Sequence, residues 1–95
     1  MSTVSFVRRG STRRDQLLFI CNFTPVQYDE YRTGVPCAGT YTELLTSDDV
    51  QYGGTGVKNK KCIKAEQIEC EGKPYSLQMH LPPLSVTIYK FDYKN

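Results

Sequence analysis

Tyr75-Ser76-Leu77-Gln78-Met79-His80-Leu81 is the stretch that decides the fold. Apolar and polar side chains alternate along it, the period of a strand with one buried face. Gly72-Lys73-Pro74 turns the chain before it, and Pro82-Pro83 breaks it after Leu81, because proline has no N–H to give to a ladder. Leu84 to Phe91 follows as another strand, with Val86 and Ile88 on one side and Tyr89 and Phe91 on the other.

Working back towards the N-terminus, the same period recurs. Thr3 to Arg8 sets Val4 and Phe6 on one face. Gln16 to Phe23 is a near-continuous apolar run, with Leu17, Phe19, Cys21 and Phe23 on one side and Leu18 and Ile20 on the other. Such a run reads as a central strand covered on both faces. The polar link Gly10 to Asp15 makes these two segments a hairpin. Tyr28 to Thr33 alternates weakly, as an edge strand does. Gly34 to Gly39 is a loop, and Thr40 to Thr46 is a strand with Tyr41 and Leu45 in phase. Ser47-Asp48-Asp49 turns the chain. Tyr52-Gly53-Gly54-Thr55-Gly56 and Lys58 to Lys61 read as a long surface loop, and Cys62 to Glu69 holds a short strand. About six or seven strands at this spacing predict one all-β domain over residues 1–95, an antiparallel two-sheet sandwich of Greek-key-like topology. The expected inner faces carry Phe6, Phe19, Cys21, Leu77, Met79, Val86 and Ile88.

Composition agrees with that class. Valine, isoleucine and threonine number 7, 4 and 9 against 2 alanines, and β-branched side chains suit a pleated sheet better than a helix. Ninety-five residues are far fewer than the ~250 of a (β/α)8 barrel. The net charge of +2 from 12 basic and 10 acidic side chains is too weak a bias for a nucleic-acid binder. No segment approaches the ~18 apolar residues of a membrane-spanning helix. Met1 to Gly10 contains Arg8 and Arg9 and no apolar core, unlike a signal peptide. Cysteines at 21, 37, 62 and 70 lack the two-residue spacing of a zinc or redox pair, so reduced thiols are expected.

Catalytic chemistry is sparse. His80, the single histidine, falls on the polar side of its strand and reads as solvated. No serine stands in a Gly-x-Ser-x-Gly elbow. Asp48 and Asp49 are adjacent on a turn, where carboxylates cap and hydrate, whereas glycosidase chemistry needs two held across a cleft. The glycines at 53, 54 and 56 lack the Gly-Lys-Ser/Thr ending and the helix of a phosphate loop. Arg8-Arg9, Arg13-Arg14 and Lys58 to Lys61 read as solvated basic clusters. Asn22-Phe23-Thr24 matches a glycosylation sequon, but an asparagine at a strand exit can instead bond backbone groups of the turn. The residues alone describe a non-catalytic β-module with no cofactor.

Several stretches taken in order carry a resemblance: Phe6-Val7-Arg8-Arg9, Leu18-Phe19-Ile20-Cys21-Asn22-Phe23-Thr24-Pro25, Tyr31 to Pro36, Gly39 to Asp48, Tyr52-Gly53-Gly54-Thr55-Gly56, and Tyr75-Ser76-Leu77 through Leu81-Pro82-Pro83-Leu84-Ser85-Val86. The chain resembles, over about residues 4–91, the C-terminal all-β domain of bacterial 1,4-α-glucan branching enzymes of the α-amylase superfamily. The resemblance implies a parent with an N-terminal sandwich, a catalytic (β/α)8 barrel and this accessory domain. It implies a cytoplasmic glycosyltransferase of glycogen synthesis, which moves α-1,4-glucan segments to 6-hydroxyls through a glycosyl-aspartate intermediate, with a glutamate as acid/base. Those residues belong to the barrel, and none maps onto a position here. The start at Met1-Ser2 is then expected to bound a domain piece or a fragmentary gene product.

Two function classes remain open. In one, the chain braces the parent's catalytic barrel and meets α-glucan through the parent, with no nucleic-acid or membrane partner. In the other, it is an independent carbohydrate-binding or adhesion-like module. Tyr28, Tyr31 and Tyr52 are the candidate glucan contacts, since tyrosine rings stack on sugars. Leu18 and Ile20 are the candidate barrel-docking face, because a two-layer sandwich has one interior and a strand apolar on both sides needs a second cover.

Overall fold

A computed structural model of the chain describes residues 3–11, 16–47 and 61–92. These hold seven strands: β1 (Thr3–Arg8), β2 (Gln16–Asn22), β3 (Tyr28–Val35), β4 (Thr40–Thr46), β5 (Cys62–Lys64), β6 (Tyr75–Leu81) and β7 (Ser85–Phe91). No helix occurs among the described residues. Five strands form one sheet in the order β1-β2-β7-β4-β5, and β3 pairs with β6 in a second. Every pairing is antiparallel. The bonded neighbours β2–β7, β4–β7 and β3–β6 are distant in sequence, so the chain changes sheet repeatedly.

The alternation of β6 becomes burial directly. Leu77, Met79 and Leu81 are buried while Gln78 and His80 are exposed. Opposite them β3 contributes Thr33 and Val35, and the five-stranded sheet contributes Leu18, Ile20, Tyr41, Tyr89 and Phe91. Tyr41 and Phe91 stack within this core with centroids 4.6 Å apart.

Strand positions match the alternation, but the inner side of the larger sheet is the opposite of the expected one. Phe6 is exposed, and Phe19, Val86 and Ile88 are half-buried on the outward face. Cys21 is buried, yet its register with Val4 and Val86 places it on that outward side too. The inward side carries Gln16, Leu18, Ile20 and Asn22 from β2 and Ser85, Thr87, Tyr89 and Phe91 from β7. When both sides of a strand are apolar, period 2 separates the faces without ranking them. Here Tyr41, Tyr89 and Phe91 join Leu18, Ile20 and the aliphatic side chains of β3 and β6 between the sheets, and small hydroxyl residues, Ser85 and Thr87, fill positions among them.

Two local details fix the smaller sheet. Glu71 and Gly72 have φ of 55° and 79°, the positive values that both central residues of a type I′ turn require. Cys70 and Lys73 exchange backbone bonds of 3.0 and 2.9 Å across them. The Glu71 carboxylate then accepts from the Gly34 N–H at 2.8 Å and the Thr33 hydroxyl at 3.1 Å. A Cβ at Gly34 would collide with the Cys70 carbonyl, so the turn seats on β3 only because position 34 has no side chain.

Candidate functional site

The tyrosine candidates come partly together. The bulge between Tyr28 and Tyr31 on β3 lets both pair on the side of Leu81 and Met79. Their rings stand 5.8 Å apart, tilted by 55°, and both pack partly against the core. The Tyr31 hydroxyl donates to Thr3 Oγ1 at 3.3 Å. This geometry suits two rings that close the end of the core more than a flat platform, since stacking a chain of sugars calls for ring faces held side by side. Tyr52, Asp48, Asp49, the glycines of 53–56 and Arg13-Arg14 lie outside the described residues.

Asn22 is a structural residue. It is almost wholly buried, and its amide donates to the carbonyls of Val26 and Pro82, each at 2.9 Å. Its Oδ1 accepts from the Thr24 backbone at 3.0 Å and the Thr24 hydroxyl at 2.7 Å. Three of the four bonds close the turn that leaves β2, and the fourth, to Pro82, ties that turn to the start of β7. Cys37 and Tyr41 form a second buried polar contact. The Tyr41 hydroxyl donates to the Cys37 carbonyl at 2.9 Å, and burial first, then the Cys37 side chain, pushes its phenol well above the ordinary tyrosine range. All four cysteines are free.

The two outer faces of the sandwich differ in chemistry. On the β3–β6 sheet, Arg32 bonds Ser76 Oγ at 2.7 Å, Glu66 at 3.0 Å and Gln78 at 3.3 Å, with exposed His80 beside them on β6. That face is polar. On the five-stranded sheet, the register aligns Phe6, Phe19, Ile88 and Leu45 across four adjacent strands. Phe6 and Phe19 stack with centroids 5.0 Å apart and planes within 2°. Val4, Cys21 and Val86 form the next row. On the other side Arg8, Leu17 and Lys90 line up. Val4, Phe6 and Leu45 remain 46%, 43% and 41% exposed.

Leu18 and Ile20, at 1% and 0% exposure, belong to the interior. The docking face expected on them is corrected accordingly: the second apolar side of β2 exists, but it is the side of Leu17 and Phe19. The signal available in the sequence was the contrast between β6, which has one polar side, and β2 and β7, which lack a strongly polar one. The register that gathers four residues from four strands is not written in any single segment.

A family described as the C-terminal all-beta domain of alpha amylase matches residues 1–92. The chain belongs to this family. It is 45% identical over 94% of its length to the 1,4-alpha-glucan branching enzyme GlgB of Rubrobacter xylanophilus. Against the enzymes of the same name from Synechocystis and Geobacillus stearothermophilus, identity is 46% and 43% over the same share. The chain spans 12–14% of the length of these relatives. It matches the C-terminal domain of GlgB-type branching enzymes, and the all-β, two-sheet architecture is that of the family.

Proposed function

We propose that this chain serves as the non-catalytic C-terminal domain of a 1,4-α-glucan branching enzyme, bracing the catalytic barrel that carries the chemistry. The observation that carries the reading is 43–46% identity over nearly the whole domain to enzymes named for that activity. The parent cleaves an α-1,4-glucan and transfers the segment to a 6-hydroxyl in the cytoplasm, and this domain meets glucan as part of that parent. Its own concavities suit support better than turnover. One of them, about 660 Å³, is lined by Lys64, Lys90, Thr42 and Asp92, with one carboxylate among its described residues where glycosyl transfer needs a pair.

The test replaces the C-terminal domain of the Rubrobacter xylanophilus enzyme with this chain. The hybrid should branch amylose, read as loss of iodine colour and new short chains after debranching, whereas the 95-residue chain alone should not. Tight maltoheptaose binding by the isolated chain would favour the independent sugar-binding module instead.

A further inference from the structure

We propose that the open edge of β1, with the groove beside it, takes up an extended acidic peptide segment as an added antiparallel strand of the five-stranded sheet. The site does not depend on the accessory role.

The first observation is which strand edges stay open. β1 ends the larger sheet and bonds only β2. Its six residues pair without a register shift, so no bulge turns the edge away, and it holds no proline. Bulges and prolines are common guards of a strand edge. The other edges are shorter or partly closed among the described residues. β5 has three residues. On β3, the Gly34 N–H donates to the Glu71 carboxylate at 2.8 Å, and the Arg32 carbonyl lies 3.8 Å from Cys70 Sγ. On β6, Ser76 exchanges backbone bonds of 2.9 Å with Glu66. An open edge offers its row of backbone donors and acceptors to a chain that can lie along it.

The second observation is the groove along that edge. A concavity of about 310 Å³ is bordered by Ser5, Phe6, Val7 and Arg9 from the β1 side and by Gly34 and Lys73 from the β3 side. Successive residues of a strand point to opposite faces. A hollow that touches Ser5, Phe6 and Val7 together therefore opens at the strand's edge, where its backbone can be reached. Four residue steps from Ser5 to Arg9 give it a length of about 13 Å, enough for a short added strand. The Ser5 hydroxyl bonds Thr33 at 2.8 Å and holds β1 close to β3, so the side chains that an added strand turns towards β3 are small.

Charge selects the occupant. Arg9 and Lys73 border the groove from its two sides, and no carboxylate is among its described lining residues. Neighbouring Glu71 is already engaged by Thr33 and Gly34. An entering carboxylate meets two cations there, the complementarity that picks one partner over another. A second copy of β1 lacks it, because Thr3 to Arg8 include no acidic side chain. Every pairing in the domain is antiparallel, the slightly more stable mode. In that direction the N-terminal end of the incoming segment meets Arg9, so its acidic residues come first.

The probe is a synthetic peptide as long as β1, two aspartates followed by alternating threonine and valine. It is titrated into the 95-residue chain and followed by backbone amide shifts. Saturable shifts should run along Thr3 to Arg8 and reach Arg9 and Lys73, with β5 and β6 little changed. N-methylation of one alternate set of peptide residues should weaken binding about ten-fold, and of the other set hardly at all, because only one set of N–H groups faces β1. The reversed peptide, aspartates last, should bind at least five-fold more weakly. Arg9→Glu with Lys73→Glu should move the preference to a peptide that begins with two lysines, while Tm shifts by less than about 5 °C. Both peptide comparisons use the unaltered chain and decide the matter even if that double variant unfolds. The proposal is overturned by no saturation up to about 5 mM peptide, by equal response to the two N-methyl sets, by indifference to the aspartate position, or by shifts centred on another edge. A chain that sediments as a dimer with its β1 amides protected from exchange also overturns it, since a second copy then fills the edge.

Discussion

Two buried tyrosine hydroxyls behave oppositely because one has a partner. Tyr41 donates to the Cys37 carbonyl, so Tyr41→Phe leaves a buried acceptor empty and should cost about 1–3 kcal/mol. The Tyr89 hydroxyl is buried with no partner among the described residues, so Tyr89→Phe should be neutral or slightly stabilising, since it removes an unsatisfied group. Urea unfolding of the two variants separates these outcomes, and equal costs would contradict the hydrogen-bond pattern. Both phenols also have pKa values raised by burial above the ordinary value, Tyr89 further by the Glu43 charge. In the unfolded chain they ionise near pH ~10. Their raised folded values mean that the stability they contribute is full below that pH and is lost as pH climbs above it. The slope is about 1.4 kcal/mol per pH unit for each tyrosine. Tyr89→Phe should remove one tyrosine's share of the slope between about pH 10 and 11.5, and an unchanged slope would show that the native Tyr89 ionises freely.

At the scale of strands, β6 makes the sharpest demand. Leu77 is fully buried and Gln78 is exposed. Leu77→Ala should cost about 2–5 kcal/mol and Gln78→Ala under about 1 kcal/mol, the small excess over a plain surface site coming from its contact with Arg32. Similar costs would reject the register. Gly34→Ala should destabilise by more than the about 1 kcal/mol typical of point changes, because the added methyl meets the Cys70 backbone and not a yielding side chain. Gly34 shows where the sequence stops being legible. Its glycine suggested a loop, whereas it lies inside β3 and is required by a turn nearly forty positions downstream. Element positions could be read because β1, β4 and β6 begin and end at breaks in alternation or at turn residues. The facing of β2 and β7 could not, because Phe19 and Ile88 are as apolar as Leu18 and Tyr89, and only the packing of the second sheet selects between them. Asn22 was legible for the opposite reason: its partners Thr24 and Val26 lie within the next four residues.

For the molecule as a whole, the question is whether a domain of this size binds glucan unaided. Tyr28 and Tyr31 are the described aromatic candidates, and they are tilted by 55° and tied into the end of the core, Tyr31 through Thr3. A sugar ring laid on one of them gains stacking from a single face, about the scale of one aromatic contact, of order 1 kcal/mol. Association costs several kcal/mol before any net affinity remains, about 4 or more. One half-buried ring therefore yields binding no tighter than millimolar, where RT ln Kd is about −4 kcal/mol. Maltoheptaose titrated into the isolated chain and followed by backbone amide shifts should show no saturation below about 1 mM. Tyr28→Ala and Tyr31→Ala should disturb the fold at the end of the β3–β6 sheet more than they change any residual shifts. Saturable shifts centred on Tyr28 and Tyr31 in the micromolar range would mean that this corner is a sugar site in its own right, and the domain would then contribute glucan capture to its enzyme as well as support.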